Sequence, residues 1–424
     1  MIQKVKGTQD FIDLTLFNFI RNQTEKHLAE YNYTQIATPI IEHTELFLRS
    51  LGQHTDVVSK EMFIIQPKTE SQELNSLKEQ ICLRPEATAA TVRAFIENSI
   101  TDLPWKVFVM GPMFRYERPQ KGRFRQFHQI SIEIIGAKSI SQDALLIKML
   151  DQLFKKKFLL DNYAILLNFL GCYDDRAKFN EVLKAFLKTV DDKICDTCRE
   201  RKNKNPLRIF DCKNPVCKEI YKDAPKTTDV LCASCQAEWE SLKTTLELIA
   251  VSYAFAPTLV RGLDYYDKTV FEFVSDNLGA QNAFCGGGRY DRLISEISEN
   301  KQDHPAIGAA IGVERLILLL ELIKDKLPIA HQTELNVILP LSTKQHILAL
   351  LLTNELHAKG LNCDVLLEDT SVKNLMRKAN KLGAKHCLIL GEDEQANLEV
   401  TVKNMMTGEE KRVKQSDVAV YLKG

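Results

Sequence analysis

Five basic side chains, Arg115, Arg118, Lys121, Arg123 and Arg125, stand within eleven residues against the single acid Glu117, a net of four positive charges. Such a loop suits phosphate, because arginine stays charged and its planar fork pairs with two oxygens at once. A solvated basic hairpin is the other reading of this segment taken alone. In the residues that follow, QFHQISIEIIG (126–136), alternation would put Gln129, Ser131 and Glu133 on one sheet face and Ile130, Ile132 and Ile134 on the other. The isoleucines are core. The polar trio is costly on a covered face unless a polar ligand meets it, so the strand is either a substrate floor or a strand at a sheet surface.

The arginine theme returns in Arg84-Pro85-Glu86-Ala87-Thr88, at Arg261 in VRGLDYY (260–266), and at Arg315 in GVERL (312–316). Each has a structural alternative by itself; together they point to one anionic pocket. Cys285-Gly286-Gly287-Gly288 offers backbone that a ligand could approach, or simply a turn. No GxxxxGK[ST] phosphate loop occurs, so nucleotide binding would rest on arginine side chains over a sheet. Cys195-x2-Cys198 and Cys232-x2-Cys235, with Cys212 and Cys217 between, have the form of zinc knuckles. The 33 residues between the pairs exceed the usual ribbon spacing of about 15 to 20, which tilts the balance from one structural Zn²⁺ on those four cysteines toward reduced thiols in an insertion.

These residues need elements to hold them. Phe11, Leu14, Phe17, Ile20 and Leu28 recur at helical spacing over residues 11 to 30, predicting an amphipathic opening helix. Residues 105 to 136 read as strand, basic loop and antiparallel strand. Between about 171 and 250 the chain is helical and cysteine-rich, and residues 199 to 226 hold nine basic against four acidic side chains, the mark of an inserted module. TLVRGLDYYDKTVFEFV (258–274) resumes the strand pattern, and GAAIGVERLILLLELI (308–323) reads as a buried helix entered through glycines. KDKLPIAHQTE (324–334) is charged and carries proline, which places a linker at 326–334 between a core domain of 1–325 and a second domain of 335–424. That second domain alternates strand LNVILP (335–340), a helix whose Ser342 and Gln345 have capping-box spacing and which stops at Gly360, CDVLL, a helix from Ser371 to Leu382, HCLILG, and a hairpin turning near Thr407-Gly408, an α/β pattern.

The 424 residues call for two or three domains at roughly 150 residues each. With 56 basic and 56 acidic side chains the formal net charge is zero, which argues against coating nucleic acid through bulk charge alone and makes any polyanion site local. Long apolar stretches are absent, so no membrane span is expected. The start, MIQKVKGTQD, shows no apolar h-region or cleavage site, and a cytoplasmic address with reduced cysteines is the expectation for the eleven cysteines.

KGTQDF (6–11), TPIIE (38–42), FRYERPQKGRFRQFHQ (114–129), VRGLDYY, GGGRYD (286–291) and GVERL match histidyl-tRNA synthetases in order and spacing. The chain thus resembles that class II family, in its bacterial form, along nearly its whole length; the class I HIGH and KMSKS signatures are absent. The resemblance implies an α+β fold, a class II antiparallel sheet flanked by helices with an inserted helical module, followed by a C-terminal α/β anticodon-binding domain. It further implies a homodimer formed around the Pro39 block, L-histidine, ATP with Mg²⁺, and tRNA(His) as partners, and histidine–tRNA ligation through histidyl-adenylate. By the same resemblance Arg115 and Arg261 clamp the α-phosphate, Arg261 standing where a metal otherwise would. Arg115, Arg123 and Arg315 hold the nucleotide. Glu86, Ala87 and Thr88 lie at the α-amino group, Glu133 and Tyr266 face the imidazole, Gln129 and Tyr265 complete that pocket, and Arg118 and Gln120 reach the tRNA acceptor end. The rival reading is the non-catalytic synthetase-like regulatory subunit of ATP phosphoribosyltransferase, which shares the core fold and normally lacks the terminal domain. A generic RNA-binding module is disfavoured by the zero net charge.

Overall fold

Two ten-residue strands flank the basic loop and pair antiparallel, with Val107 opposite Glu133 and Gly111 opposite Gln129. They are β2 (Trp105–Phe114) and β3 (Gln126–Ile135) of an eight-stranded sheet that also contains β1 (Thr34–Gln35), β4 (Ala164–Phe169), β5 (Ala254–Phe255), β6 (Asp267–Val274), β7 (Ala283–Arg289) and β8 (Ala306–Gly312). The order is β1-β2-β3-β8-β7-β6-β4-β5, antiparallel throughout except at the two edges, where β1 and β5 run parallel to their neighbours. The computed structural model describes residues 2–52, 55, 57–66, 80–279, 282–298, 303–329 and 334–423. Of the linker expected at 326–334, residues 330–333 lie outside that set.

The chain divides into two compact units, Met1–Leu327 and Pro328–Gly424. In the first, one face of the sheet is apolar: Ile130, Ile132 and Ile134 are buried beside Ile311, Ala309 and Ile307, their partners across the strand pair. On the neighbouring strands Phe273 and Phe284 meet Phe154 at ring separations of 5.0 and 4.9 Å, an aromatic cluster that anchors the helical layer behind the sheet. That layer includes α1 (Thr15–Glu30), α3 (Ser141–Gln152) and α8 (Val313–Glu321), while α2 (Thr88–Glu97) starts beside the polar face. The opening helix begins at Thr15 rather than Phe11, just after the Asp13 carboxylate accepts the Thr15 N–H at 2.8 Å; Leu16 and Phe19, not Leu14, join Ile20 and Leu28 in its buried stripe.

Two further expectations are corrected. Residues 258–266 are loop, not strand: the carbonyls of Gly262 and Tyr266 take hydrogen bonds from Arg208 and Arg176, both at 2.8 Å, in place of a neighbouring strand. Gly308–Gly312 is not a helix entrance but the end of β8, and helix begins only at Val313. Cys285-Gly286-Gly287-Gly288 likewise lies inside β7 rather than in a turn. Between β4 and β5 the chain forms α4 (Tyr173–Thr189), α5 (Asp196–Lys204), α6 (Pro215–Ile220) and α7 (Ala233–Leu248) around a small core of Phe179, Leu183, Ile209 and Tyr221.

The second unit is a five-stranded sheet of β9 (Asn336–Pro340), β10 (Cys363–Val365), β11 (His386–Leu390), β12 (Glu399–Asn404) and β13 (Glu410–Lys414), ordered β10-β9-β11-β12-β13. The first three strands are parallel, joined through α9 (His346–Ala358) and α10 (Val372–Lys381), and the last two form an antiparallel extension. Its core on one side gathers Ile338, Leu352, Leu356, Leu388 and Val400. Ser342 Oγ donates to Gln345 Oε1 at 2.6 Å, and α9 starts just after that pair. No helix among the described residues is long and apolar enough to cross a membrane.

Candidate active site

The polar face of the sheet has a hollow centre, and strand register explains it. Gly308 lies opposite Glu133 and Ala310 opposite Ser131, while Gly286 pairs with Ala310 and Gly288 with Gly308. Partners directly opposite share a face, so four small residues floor the middle of the sheet. Close approach requires glycine there. A methyl at Gly286 would stand 2.5 Å from Arg261 Nη1, one at Gly288 would stand 2.8 Å from the Tyr266 ring, and one at Gly308 would overlap the Glu133 carboxylate.

Glu133 closes one end of the hollow. It accepts hydrogen bonds from Thr88 Oγ1 at 2.7 Å and Tyr290 Oη at 2.5 Å and is 1% exposed. Burial pushes its carboxyl up to about 8, with the Glu86 charge adding to the rise against the two hydroxyls that lower it. Glu86 is also buried and also raised by that burial; its carboxylate takes the N–H groups of Thr88 at 2.7 Å and Ala89 at 2.8 Å, which fixes the start of α2. Tyr265 and Tyr266 lie beside it, rings 4.5 Å apart, and Tyr265 meets Tyr290 edge-on at 5.6 Å. Gln129 Oε1 is buried without a hydrogen-bond partner.

Guanidinium groups occupy the other side. Arg115 donates from Nε to Pro85 O at 2.9 Å and covers the Phe127 ring. Arg261 pairs with Glu272, rests over Tyr266 and Gly286, and keeps its Nε buried without a partner. Arg315 reaches Ala283 O at 2.5 Å and Gly122 O at 3.2 Å, and Arg123 pairs with Glu117. Burial, then repulsion from Arg123, Arg115 and Arg261, holds Arg315 down at about 10. The three neighbouring guanidiniums depress the charge of Arg315, while Glu272 holds Arg261 charged, so the cluster is a site that an anion relieves.

Arg84 is a correction to the single anionic pocket: its guanidinium is spent on Thr38 O, Thr38 Oγ1 and Pro112 O, each at 3.0 Å, and braces the backbone under Gly111. Ala87 is fully buried against Val109 and Met113. Arg118 and Gln120 are exposed on the loop, and Arg125 stacks on Tyr116 at 3.8 Å. The two cysteine knuckles do not share one site, because each is completed by other residues: Cys195 and Cys198 by Cys212 and Cys217, Cys232 and Cys235 by Cys172 and Asp175. Sequence reasoning passed over Tyr290, Glu272 and Gly308. Tyr290 continues the parity of Gly286 and Gly288, a signal present in the sequence; Glu272 had none beyond its strand alternation.

The family model described as "Histidyl-tRNA synthetase" matches residues 17–316, and one described as "Anticodon binding domain" matches 336–424. A histidine–tRNA ligase of Thermosipho melanesiensis is 42% identical over 97% of this chain and 96% of its own length, and one of Solidesulfovibrio magneticus is 42% identical over 100% and 97%. Among solved structures, apo histidyl-tRNA synthetase of S. aureus superimposes with a TM-score of 0.80 at 32% identity, each chain covered completely. With a glycine-floored antiparallel sheet, an arginine cluster beside a buried carboxyl, and matches of this extent, the chain belongs to the histidyl-tRNA synthetase family.

Proposed function

We propose that the hollow on the polar face is where histidine and ATP react, in an enzyme that is a histidine–tRNA ligase. The observation that carries this reading is the convergence of Arg115, Arg123, Arg261 and Arg315 on one side of the floor, with Glu133 and the tyrosines on the other. The histidine carboxylate attacks the ATP α-phosphorus in line and pyrophosphate leaves; the adenylate then esterifies the terminal ribose of tRNA(His), releasing AMP. Negative charge gathers on the α-phosphoryl oxygens in the first step. Arg115 and Arg261 hold those oxygens from two sides, and preorganised donors of this kind stabilise the transition state more than the ground state. The unpartnered Nε of Arg261 supports that role. Arg123 and Arg315 position the triphosphate and adenine, and Mg²⁺ enters with ATP as part of the substrate.

Histidine lies over Gly288 and Gly308, its imidazole between Glu133 and Tyr266, with Gln129 and Tyr265 alongside and the Glu86–Thr88 segment at the α-amino group. An amino acid that leaves those buried groups unpaired loses roughly 1–3 kcal/mol for each. Arg118 and Gln120, exposed on the loop, reach the acceptor end of tRNA. Residues 335–424 read the anticodon, supported by the domain match there. The enzyme works as a cytoplasmic homodimer, a reading carried by the resemblance around Pro39. Histidine-dependent exchange of pyrophosphate into ATP, followed by charging of tRNA(His), tests the assignment; a folded protein that binds histidine without exchange would instead be the non-catalytic regulatory relative.

A further inference from the structure

The module between β4 and β5 gathers seven cysteines and one aspartate into two clusters that the chemistry above does not use. In each cluster the four ligand atoms lie within 4.8 Å of one another. The first joins Cys195 and Cys198, at the entrance and first turn of α5, to Cys212 and to Cys217 on α6. Cys195 Sγ and Cys212 Sγ are 3.8 Å apart. A metal about 2.3 Å from each of four tetrahedral sulfurs requires an edge of about 3.8 Å, whereas a disulfide needs about 2.05 Å. Backbone donors already face these sulfurs: Cys195 N–H points to Cys217 Sγ at 3.3 Å and Asn214 N–H to Cys212 Sγ at 3.4 Å. Such N–H···S bonds orient and stabilise thiolates around a metal.

The second cluster brings Cys232 and Cys235, at the entrance and first turn of α7, against Cys172 and Asp175 at the same two positions of α4. Asp175 is fully buried, and its two oxygens take N–H groups from Cys172 at 3.2 Å and Cys232 at 2.8 Å, which holds the carboxylate between the two helix starts. Soft thiolate sets with at most one carboxylate select zinc over magnesium or calcium. Charge balance agrees: four thiolates exceed a divalent ion by two negative charges, and residues 199–226 carry nine basic against four acidic side chains.

We propose that the inserted module binds two zinc-class divalent ions, one at the four-cysteine cluster and one at the cluster of three cysteines and Asp175. The first ion fastens a brace for the active site. Between Cys198 and Cys212 the chain presents Asn205, whose Nδ2 donates to Asp264 Oδ1 at 3.0 Å, and Arg208, which donates to Gly262 O and Asp264 Oδ1 at 2.8 Å each. Those contacts hold the loop that carries Arg261 and Tyr265. The second ion ties the start of α4, just after β4, to the start of α7.

Full-length protein purified without chelator should contain two equivalents of zinc per chain by elemental mass spectrometry. Cys198→Ser should remove one equivalent, Cys235→Ser the other, and the double variant both. Asp175→Asn should weaken retention at one site at least about 10-fold against a chelator while the other equivalent stays. Should the variants misfold, stepwise release of zinc from the wild type by a mercurial, followed with a colorimetric indicator, and the visible absorption of a Co²⁺-substituted form supply the same count and the tetrahedral geometry. Fewer than two equivalents in the wild type, loss of all zinc from either single variant, or iron in place of zinc would each overturn the proposal.

Discussion

Replacing Glu133 by glutamine should remove a defined part of the pH dependence of stability. The Glu133 carboxyl is raised from 4.5 to about 8 by burial, so the folded protein binds its proton more tightly than the unfolded chain does. Stability from this group is therefore fully present below pH 4.5 and declines as pH rises toward about 8, where both states have released the proton. Between about pH 6 and about pH 9 the two titrations differ by a free energy of about 2.6 kcal/mol, obtained by integrating proton uptake with those two pKa values. Glutamine keeps the shape and can still bond Thr88 Oγ1 and Tyr290 Oη, but does not titrate. At roughly 1.5 °C per kcal/mol for a unit spanning Met1–Leu327, from an unfolding entropy of about 2.1 cal/mol/K per residue, wild type should lose on the order of 4 °C more than Glu133→Gln over that interval. Thermal melts of both proteins in matched buffers measure the difference, and subtraction cancels every other titrating group that the two share. Parallel pH profiles would refute the placement of a protonated carboxyl beneath Tyr290. A wild type that gains stability relative to the variant would reverse the sign of the argument.

Arg261→Ala should slow histidyl-adenylate formation by roughly 10²–10³-fold, the range for losing one preorganised donor; pyrophosphate exchange near the wild-type rate in a folded protein would remove Arg261 from the clamp. Gly286→Ala, whose methyl would stand 2.5 Å from Arg261 Nη1, should displace that guanidinium and cost on the order of 10² in the same assay, and an unchanged rate would mean that the guanidinium does not rest there during reaction. A chain ending at Leu327, where the first compact unit ends, should retain histidine-dependent exchange yet charge wild-type and anticodon-substituted tRNA almost alike. Undiminished discrimination by the truncated enzyme would take anticodon reading away from residues 335–424.

The hairpin was legible in sequence because period-2 alternation of Ile130, Ile132 and Ile134 with Gln129, Ser131 and Glu133 is a backbone signal, and β3 buries those isoleucines on one face. The α/β order of the second unit was equally legible from its strand and helix punctuation, down to the turn at Gly408 between β12 and β13. Small residues defeated the same method at 308–312, since Gly and Ala give no amphipathic period, and their place in β8 depends on what Glu133 needs across the strand pair. Residues 258–266 have β-branched and aromatic content, yet the arginines of a distant insertion satisfy their carbonyls, which local pattern does not reveal. The cysteine spacing suggests one site only if the two knuckles are partners of each other, whereas helix packing gives each knuckle separate company.

The floor of Gly286, Gly288, Gly308 and Ala310 makes the pocket easy to shrink and hard to enlarge. A surface already reduced almost to hydrogen atoms has nothing left to trim, so, with histidine placed as proposed, a programme to accept bulkier amino-acid analogues has no room to work below it. The adjustable walls are Thr88, Tyr265, Tyr266 and Tyr290, and two of these bond or stack around Glu133 in a way that makes trimming them costly. Replacing Tyr265 or Tyr266 leaves the Glu133 hydrogen bonds intact, and because Arg261 rests over Tyr266, Tyr265 is the first position to randomise when selecting variants for enlarged imidazole analogues.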